Sequence, residues 1–278
     1  MAFTSFNFLV FAAAAAAAYY ITPIKGRWMT LLAASYAFYL ISSPKTFIFI
    51  VLTTIVTFFG GRYIGRCNDA QKAYMAEHKE ELSKEDKKAI KAAAQKKKRK
   101  MAALILVANF GVLAVLKYFK SYVEMAAAAL GGFEPELGIL IPLGISFYTF
   151  QAAAYILDLY RGKISHDTNI AKFALFMSFF PQIIQGPIAR YDRLANQLYE
   201  GHKFDYRNFT FGMQLILWGF FKKLIIADRV AVLVNQVFDN YTDYAGGVVF
   251  VALLFYTIQI YADFSGGIDI ARGVAQMM

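Results

Sequence analysis

Cysteine and histidine are scarce in this chain. The 278 residues include one cysteine, Cys67, and three histidines. A single cysteine excludes an intrachain disulfide. No histidine stands at the spacing from a glutamate that a zinc motif requires. We therefore expect neither a disulfide framework nor a metal site.

Basic residues are missing from the start of the chain. Residues 1–24 contain no lysine or arginine, although the run "FNFLVFAAAAAAAYYITP" resembles a secretory signal in its apolar character. A signal peptide requires a basic segment before its apolar part. We interpret this stretch as a retained first transmembrane helix.

Charged residues are few and apolar ones abundant. Hydrophobic residues make up 58% of the chain, charged residues 17%, and the mean hydropathy is +0.43. Several apolar stretches approach the ~20 residues that cross a bilayer as a helix. They lie at roughly 5–24, 28–43, 46–64, 101–119, 138–160, 170–188, 211–227 and 247–264. We predict an all-α fold, a polytopic membrane helical bundle with seven or eight passages, some of them partial.

The basic residues concentrate in residues 66–100, which hold twelve bases against six acids. The positive-inside rule predicts that this segment is cytoplasmic, where anionic headgroups attract it. The polar stretch from His78 predicts a helix along the membrane surface or extending from it. No aromatic or glycine-rich pattern accompanies the lysines, so we expect no nucleic acid partner.

These patterns predict three regions. Residues 1–65 form N-terminal transmembrane helices, 66–100 a basic cytoplasmic loop or helix, and 101–278 a transmembrane core. Within the core, the glycine and proline residues of Leu130–Gly138 predict an extramembrane turn.

A polar stripe runs through "PLGISFYTFQAAAYILDLYRG". Its members recur at helical spacing on one face: Gly144, Tyr148, Gln151, Tyr155 and Asp158. In lipid such a face must contact neighbouring helices or a wet cavity. The side chains either bond only to adjacent helices or line a shared polar interior, and five in register favour the interior.

The end of the chain carries an acid inside an apolar run. Gln259 and Asp263 share a helix face, and a charged aspartate at the centre of a span costs roughly 2.5–3.5 kcal/mol. Ser265-Gly266-Gly267 follows, and glycine weakens a helix. We therefore expect the helix to break there, with Asp263 near its end and lining a cavity.

The stretch "FMSFFPQIIQGPIARYDRLANQL" contains Pro181, Gly186 and Pro187. Each proline removes a backbone donor, and broken backbone at membrane depth survives only against protein or water. The pattern predicts a re-entrant segment, after which Arg190 and Arg193 return to the cytoplasmic headgroup level.

Four segments resemble, in order, successive blocks of the membrane-bound O-acyltransferase family, in its bacterial alginate-O-acetylation branch. They are "IPLGISFYTFQAAAYILDLYRGKI", "FFPQIIQGPIARYDRLANQL", "WGFFKKLIIADR" and "YTIQIYADFSGGIDIARG". The resemblance implies a tunnel through the membrane and transfer of an acyl group to a hydroxyl outside. The co-substrate would be acetyl-CoA or another acyl thioester, with no bound cofactor. The implied partners are the bilayer, a polysaccharide acceptor and an extracytoplasmic acyltransferase partner.

The family's chemistry relies on a histidine in a segment beyond the block that matches Asp263–Gly266. An imidazole suits the task because it can take the acceptor's proton near neutral pH. We expect this chain to be an N-terminal portion that ends before that histidine. His78, His166 and His202 lie in polar connectors, and we interpret them as solvated loop residues.

The resemblance assigns candidate roles by position. Gln185, Gly186, Pro187 and Arg190 match the re-entrant block and would shape the donor entrance. Arg190 either pairs with a donor phosphate or carboxylate or anchors a helix end.

The last block supplies Tyr261, Asp263, Ser265 and Asp269, which would line the tunnel near the histidine. Asp263 either orients the imidazole or pairs structurally. Candidate tunnel residues from the stripes complete the set: Tyr148, Gln151, Tyr155 and Gln259.

The sequence therefore predicts an O-acetyltransferase of an envelope or extracellular polysaccharide, located in the inner (cytoplasmic) membrane. A non-catalytic membrane protein, either transporter-like or a scaffold, is the alternative. A lipid-acceptor acyltransferase would share the same fold.

Overall fold

The computed structural model describes residues 3–80, 83–129 and 140–278. The predicted turn at Leu130–Gly138 lies outside these residues. Within them the structure is helical, with these elements: α1 Phe6–Ile21, α2 Arg27–Ser42, α3 Phe47–Glu77, α4 Lys84–Ala129, α5 Ile145–Tyr160, α6 Ile170–Ser178, α7 Phe180–Ile183, α8 Tyr191–Tyr199, α9 Tyr206–Phe220, α10 Asp228–Asp239 and α11 Gly246–Gln276. A π-helical turn at Phe221–Ala227 joins α9 to α10.

Three helical stretches of the described residues are long and apolar enough to cross a membrane. They are Pro44–Glu77, Lys84–Phe119 and Gly246–Gln276, and α1 is apolar but shorter. The chain is thus a multi-pass, all-α membrane protein, as the sequence predicted. Membrane passage of the remaining predicted stretches stays a prediction.

The chain divides into two compact units. The first unit comprises the residues up to Thr30, Phe180–Pro187 and Gly201–Met278, and the second comprises Leu31–Phe179 and Ile188–Glu200. The predicted division at residues 65 and 100 stays a prediction, although α3 and α4 each continue through one of these positions.

In the second unit, α3 packs against α4, α5 and α6. Two glycines of α3 allow this close approach. A Cβ at Gly60 would lie 2.1 Å from Ile105 Cδ1, and one at Gly61 would lie 2.7 Å from Tyr155 Cε1. The stripe helix α5 therefore lies directly against α3, which buries its polar face.

In the first unit, α9 and α11 pack through paired glycines. A Cβ at Gly212 would lie 2.7 Å from Gly273 O, and one at Gly219 would lie 2.6 Å from Gly266 O. Both helices repeat glycine at an interval of seven residues, which keeps one face small over two turns. Small residues at such interfaces let transmembrane helices approach by their backbones.

The expected helix break at Ser265-Gly266-Gly267 was wrong. Helix α11 is continuous from Gly246 to Gln276, so Asp263 lies well inside it instead of near an end. Gly266 contacts α9, and Gly267 leaves room for Gln185, whose Oε1 would lie 2.3 Å from an added Cβ. Packing at both glycines offsets their low helix propensity.

The polar helix begins later than the sequence predicted. It does not begin at His78, since α3 ends at Glu77 and α4 begins at Lys84. Ser83 starts α4 because its Oγ accepts from Asp86 N at 3.1 Å, while Asp86 accepts from Ser83 N at 3.2 Å, a reciprocal cap. The predicted break of the helix is confirmed at Phe179 and at residues 184–190, on either side of α7, which contains Pro181. A re-entrant path through the membrane stays a prediction.

We expect Gly219→Ala to destabilise the protein by about 1–3 kcal/mol, because the added methyl would overlap the backbone of α11. Thermal unfolding in detergent measures the effect. Gly111→Ala is the matched control, because no atom lies within 4 Å of a Cβ there. That change should be neutral or stabilising by up to ~1 kcal/mol. Equal stability of the two variants would contradict the glycine pairing.

Candidate functional site

Two lysine–aspartate pairs join the π-helical turn to α11. Lys222 Nζ lies 2.5 Å from Asp269 Oδ2, and Lys223 Nζ donates a hydrogen bond to Asp263 Oδ1. Gly266 lies between the two acids, and a Cβ there would lie 3.2 Å from Lys223 N. Close backbone packing at this glycine brings each lysine to its own carboxylate.

The two pairs differ in exposure. The side chains of Lys222 and Asp269 are 12% and 14% exposed, whereas Asp263 is 42% exposed. Arg272 Nη1 is a more distant neighbour of Asp269, at 3.9 Å from Oδ1. The Lys222–Asp269 pair, which we call the inner pair, is therefore largely desolvated. In the Lys223–Asp263 pair, which we call the outer pair, the carboxylate can reach a ligand or water.

Two buried polar atoms of α11 have no hydrogen-bond partner among the described residues. They are Gln259 Oε1 and Ser265 Oγ. Gln259 lies one turn before Asp263, and Ser265 one turn before Asp269. Buried polar atoms are normally hydrogen-bonded, so these positions can accept a polar group that the described protein does not supply.

A tight turn follows α7 in the first unit. Gln182 Nε2 donates to Pro187 O at 2.7 Å, and Gly186 N donates to Gln182 O at 2.9 Å. A Cβ at Gly186 would lie 2.5 Å from Gln182 Cα, so only glycine fits this turn. The turn holds Gln185 against Gly267, and thus connects the predicted donor-entrance residues to the helix of Asp263.

The second unit contains a hydrogen-bond network around Asp167, which is 8% exposed. Its Oδ2 accepts from Tyr191 at 2.8 Å and from Tyr199 at 2.7 Å, and its backbone N–H donates to Tyr155 at 3.2 Å. Asn169 caps α6 and donates its N–H to Asp167 Oδ1 at 3.0 Å. The network fixes α5, α6 and α8 relative to one another.

The tyrosines of α8 are held neutral. Burial, followed by the negative charge of Asp167, raises the pKa of Tyr191 above its usual range. Burial also raises the pKa of Tyr199, with Tyr191 and Asp167 as the next causes. Both hydroxyls therefore remain donors to Asp167 at neutral pH.

The predicted polar stripe is buried. Tyr148, Gln151 and Tyr155 are each at most 4% exposed. Gln151 Nε2 donates to Phe176 O at 2.8 Å and Tyr155 accepts from Asp167, while the Tyr148 hydroxyl lies beside the hydroxyl of Tyr39. Two of the three thus bond to neighbouring protein, and their proposed role in a tunnel stays a prediction.

Other predicted site residues lie elsewhere. Arg190 is exposed and pairs with Asp192 at 3.0 Å, in the second unit. Tyr261 is 70% exposed on the face of α11 opposite Asp263. Pro187 is exposed, while Gly186 is buried. In the first unit, Gln185 packs against Gly267 of α11, the helix that also carries Asp263, Ser265 and Asp269.

The interpretation of His166 as a solvated residue was wrong. Its side chain is 14% exposed, and its Nδ1 lies 3.5 Å from Asp69 Oδ2. Gly65 makes room for the ring, since a Cβ there would lie 2.4 Å from Nδ1. His78 stacks on Tyr74 at 4.5 Å between ring centroids. The backbone of His202 accepts from Arg27 and donates to Tyr19.

Known proteins resemble this chain over most of its length. The probable alginate O-acetylase AlgI of Azotobacter vinelandii is 31% identical over 269 residues, which are 94% of this chain and 48% of that protein. The Pseudomonas putida protein of the same name is 38% identical over 62% of this chain and 37% of its own length. The peptidoglycan O-acetyltransferase of Helicobacter pylori is 31% identical over 64% of this chain and 38% of its own. No family model matches the chain.

These relatives agree with the resemblance found in the sequence. Over most of its length the chain is similar to members of the membrane-bound O-acyltransferase family. It spans between about a third and a half of the length of these curated relatives.

The structure connects two of the family-like blocks by charge. "WGFFKKLIIADR" supplies the π-helical turn with both lysines, and "YTIQIYADFSGGIDIARG" supplies both acids. Sequence reasoning singled out Asp263 and Asp269 but missed Lys222 and Lys223. The available signal was two adjacent lysines inside an apolar helix, since such charges require partners. It also missed Asp167, whose signal was the helix-capping pattern "HDTN".

We expect the inner pair to show strong coupling in a double-mutant cycle. Asp269→Leu alone should cost about 3–5 kcal/mol, because it leaves Lys222 buried without its carboxylate. Lys222→Met combined with Asp269→Leu should cost clearly less than the sum of the single changes. Thermal or chemical unfolding in detergent measures the cycle, and additive single effects would exclude a coupled pair.

The Asp167 network predicts a pH dependence of stability. A raised folded-state pKa adds stability that is complete below the unfolded tyrosine value, about 10, and that is lost as pH rises above it. Tyr191→Phe should cost ~1–3 kcal/mol at pH 8 and should flatten the loss of stability above pH ~10.

Tyr206→Phe is the control for this change, because Tyr206 is 75% exposed. The melting temperature measured from pH 8 to 11 compares the two variants. Parallel curves for Tyr191→Phe and the unaltered protein would contradict the network.

Proposed function

We propose that the protein carrying this chain is a membrane O-acetyltransferase that acts on an envelope or extracellular polysaccharide. The similarity that runs over 94% of the chain to a probable alginate O-acetylase carries the proposal. The relative that acts on peptidoglycan supports the same reaction on a second polymer. The acceptor class is therefore a polysaccharide with free hydroxyl groups.

In this reaction an acceptor hydroxyl oxygen attacks the carbonyl carbon of an acyl thioester, such as acetyl-CoA. The oxygen–carbon ester bond forms, the carbon–sulfur bond breaks, and the hydroxyl proton passes through a base to the departing sulfur. The family resemblance assigns that base to a histidine beyond the Asp263 block. An imidazole matches the proton transfer near neutral pH.

The described residues would position this chemistry. Asp263 is the accessible carboxylate of the outer pair, and Lys223 keeps it in place. It can accept a hydrogen bond from an imidazole N–H and stabilise the imidazolium that forms. Ser265 and Gln259 offer unpartnered polar atoms on the same helix. Gln185, Gly186 and Pro187 would form the donor side.

The proposal includes the location of the protein. We place it in the inner membrane, with residues 66–100 in the cytoplasm, because their excess of bases follows the positive-inside rule. The acyl thioester would then enter from the cytoplasm, and an extracytoplasmic acyltransferase could receive the acyl group outside.

Acetylation of an extracellular polymer tests the proposal. The full coding sequence is expressed in a bacterium whose own polysaccharide O-acetylase has been deleted, and acetyl esters per sugar are counted by NMR. We expect acetylation to return. Asp263→Asn should lower it at least about tenfold, because the amide cannot stabilise a positive imidazolium.

Asp239→Asn is the matched control, since Asp239 is an exposed residue of α10 in the same unit. Immunoblots of the membrane fraction establish equal protein levels. Absence of acetyl esters with the protein present would contradict the proposal. Solute uptake without acetylation would favour the transporter-like alternative.

A further inference from the structure

A run of five bases ends where the apolar part of α4 begins. It covers residues 96–100, and residues 101–116 contain no charged side chain. At 1.5 Å per residue those sixteen residues span about 24 Å, most of a bilayer core. Because α4 is a continuous helix through this point, a bilayer around residues 101–116 would place the five bases at the level of the lipid headgroups.

One of the five bases faces the protein. Lys98 is 8% exposed, and its Nζ donates to Asn68 Oδ1 at 2.8 Å and to Gln71 Oε1 at 3.4 Å. Asn68 in turn donates to Leu159 O at 2.8 Å. The contacts of Lys98 with α3 fix the rotation of α4 about its axis at this level, and Asn68 links them to α5.

The other four bases, which we call the basic collar, are exposed. They are Lys96, Lys97, Arg99 and Lys100. Their side chains have no ion-pair or hydrogen-bond partner in the part of the chain that the structure describes, and no acid occurs between Lys87 and Lys100. Four unpaired positive charges thus directly precede the apolar part of α4.

We propose that the basic collar binds the headgroups of anionic phospholipids. Lysine and arginine form charge-assisted hydrogen bonds with phosphate oxygens. Each base close to an anionic membrane surface strengthens attachment about fivefold. The basic collar directly precedes the membrane-spanning part of the same helix. The phosphate of a phospholipid is therefore the anion within reach of its side chains. The binding is independent of the acyl-transfer reaction.

The part of α4 that precedes the basic collar, with the turn before it, provides a matched control. Lys84, Lys88 and Lys91 lie on the same helix, and Lys79 lies in the turn before it. At 1.5 Å per residue, the three on α4 lie from ~8 to ~18 Å farther from the span than Lys96. That distance equals or exceeds the Debye length of about 8 Å at physiological salt.

The experiment titrates short-chain phosphatidylglycerol into the purified full-length protein in neutral detergent. The rise in melting temperature gives an apparent Kd. The collar variant carries Lys96→Gln, Lys97→Gln, Arg99→Gln and Lys100→Gln, and the tip variant carries Lys79→Gln, Lys84→Gln, Lys88→Gln and Lys91→Gln. Both lose four positive charges, and both keep Lys98.

We expect the collar variant to bind phosphatidylglycerol at least about tenfold more weakly, and the tip variant within about twofold of the unaltered protein. Phosphatidylcholine of the same chain length should give no comparable rise, and raised salt should weaken the effect in the unaltered protein. Equal losses in the two variants would overturn the proposal, as would equal stabilisation by the two lipids. The lipid comparison requires no substitution, so it tests the proposal even if a variant folds poorly.

Discussion

A charge inside an apolar helix must find its partner within the protein, and this requirement organises the first unit. Helix α11 carries Asp263 and Asp269 through a stretch that would otherwise favour lipid. An unpaired carboxylate in that setting costs several kcal/mol. The two adjacent lysines of the π-helical turn offset this cost by pairing with the carboxylates, which requires that α9 and α11 approach closely. The glycine pairs allow this approach, so backbone packing and charge pairing depend on each other.

The π-helical turn is where these two requirements meet. Such turns insert an extra residue into a helix and often occur at functional sites. Here the turn places Lys222 and Lys223 opposite acids six residues apart on α11. One pair is mostly buried and serves the packing, whereas the other leaves a carboxylate accessible. A structural pair beside an accessible one gives Asp263 a fixed position, which its proposed role in orienting a base requires.

The second unit follows the same rule with neutral groups. Gln151 bonds to a backbone carbonyl, and three tyrosines surround Asp167. Lys98 is bound by two amide oxygens in place of a carboxylate. Neighbouring helices supply these partners. Because the hydrophobic effect does not drive helices together within lipid, these polar contacts stabilise the helix packing.

The sequence predicted those features of the structure that depend on residues close to one another in the chain. The all-α membrane fold followed from apolar length, and the burial of Tyr148, Gln151 and Tyr155 followed from their helical spacing. The breaks on either side of α7 followed from the two prolines, Pro181 and Pro187. The predicted helix break at Ser265-Gly266-Gly267 was wrong because Gly266 packs against Gly219. Gly219 is far away in the chain, and helix propensity cannot reveal such a contact. The roles of Lys222 and Asp167 were missed for the same reason, since each depends on a distant partner.

Solid-state NMR in lipid bilayers can test the charge pairing most directly. Lysine labelled with 15N at Nζ and aspartate labelled with 13C at Cγ report the dipolar coupling between the two groups. We expect short nitrogen–carbon contacts from Lys222 and Lys223, one of which disappears in Lys222→Met and the other in Lys223→Met. A protein that folds in the bilayer and shows neither contact would contradict the charge pairing.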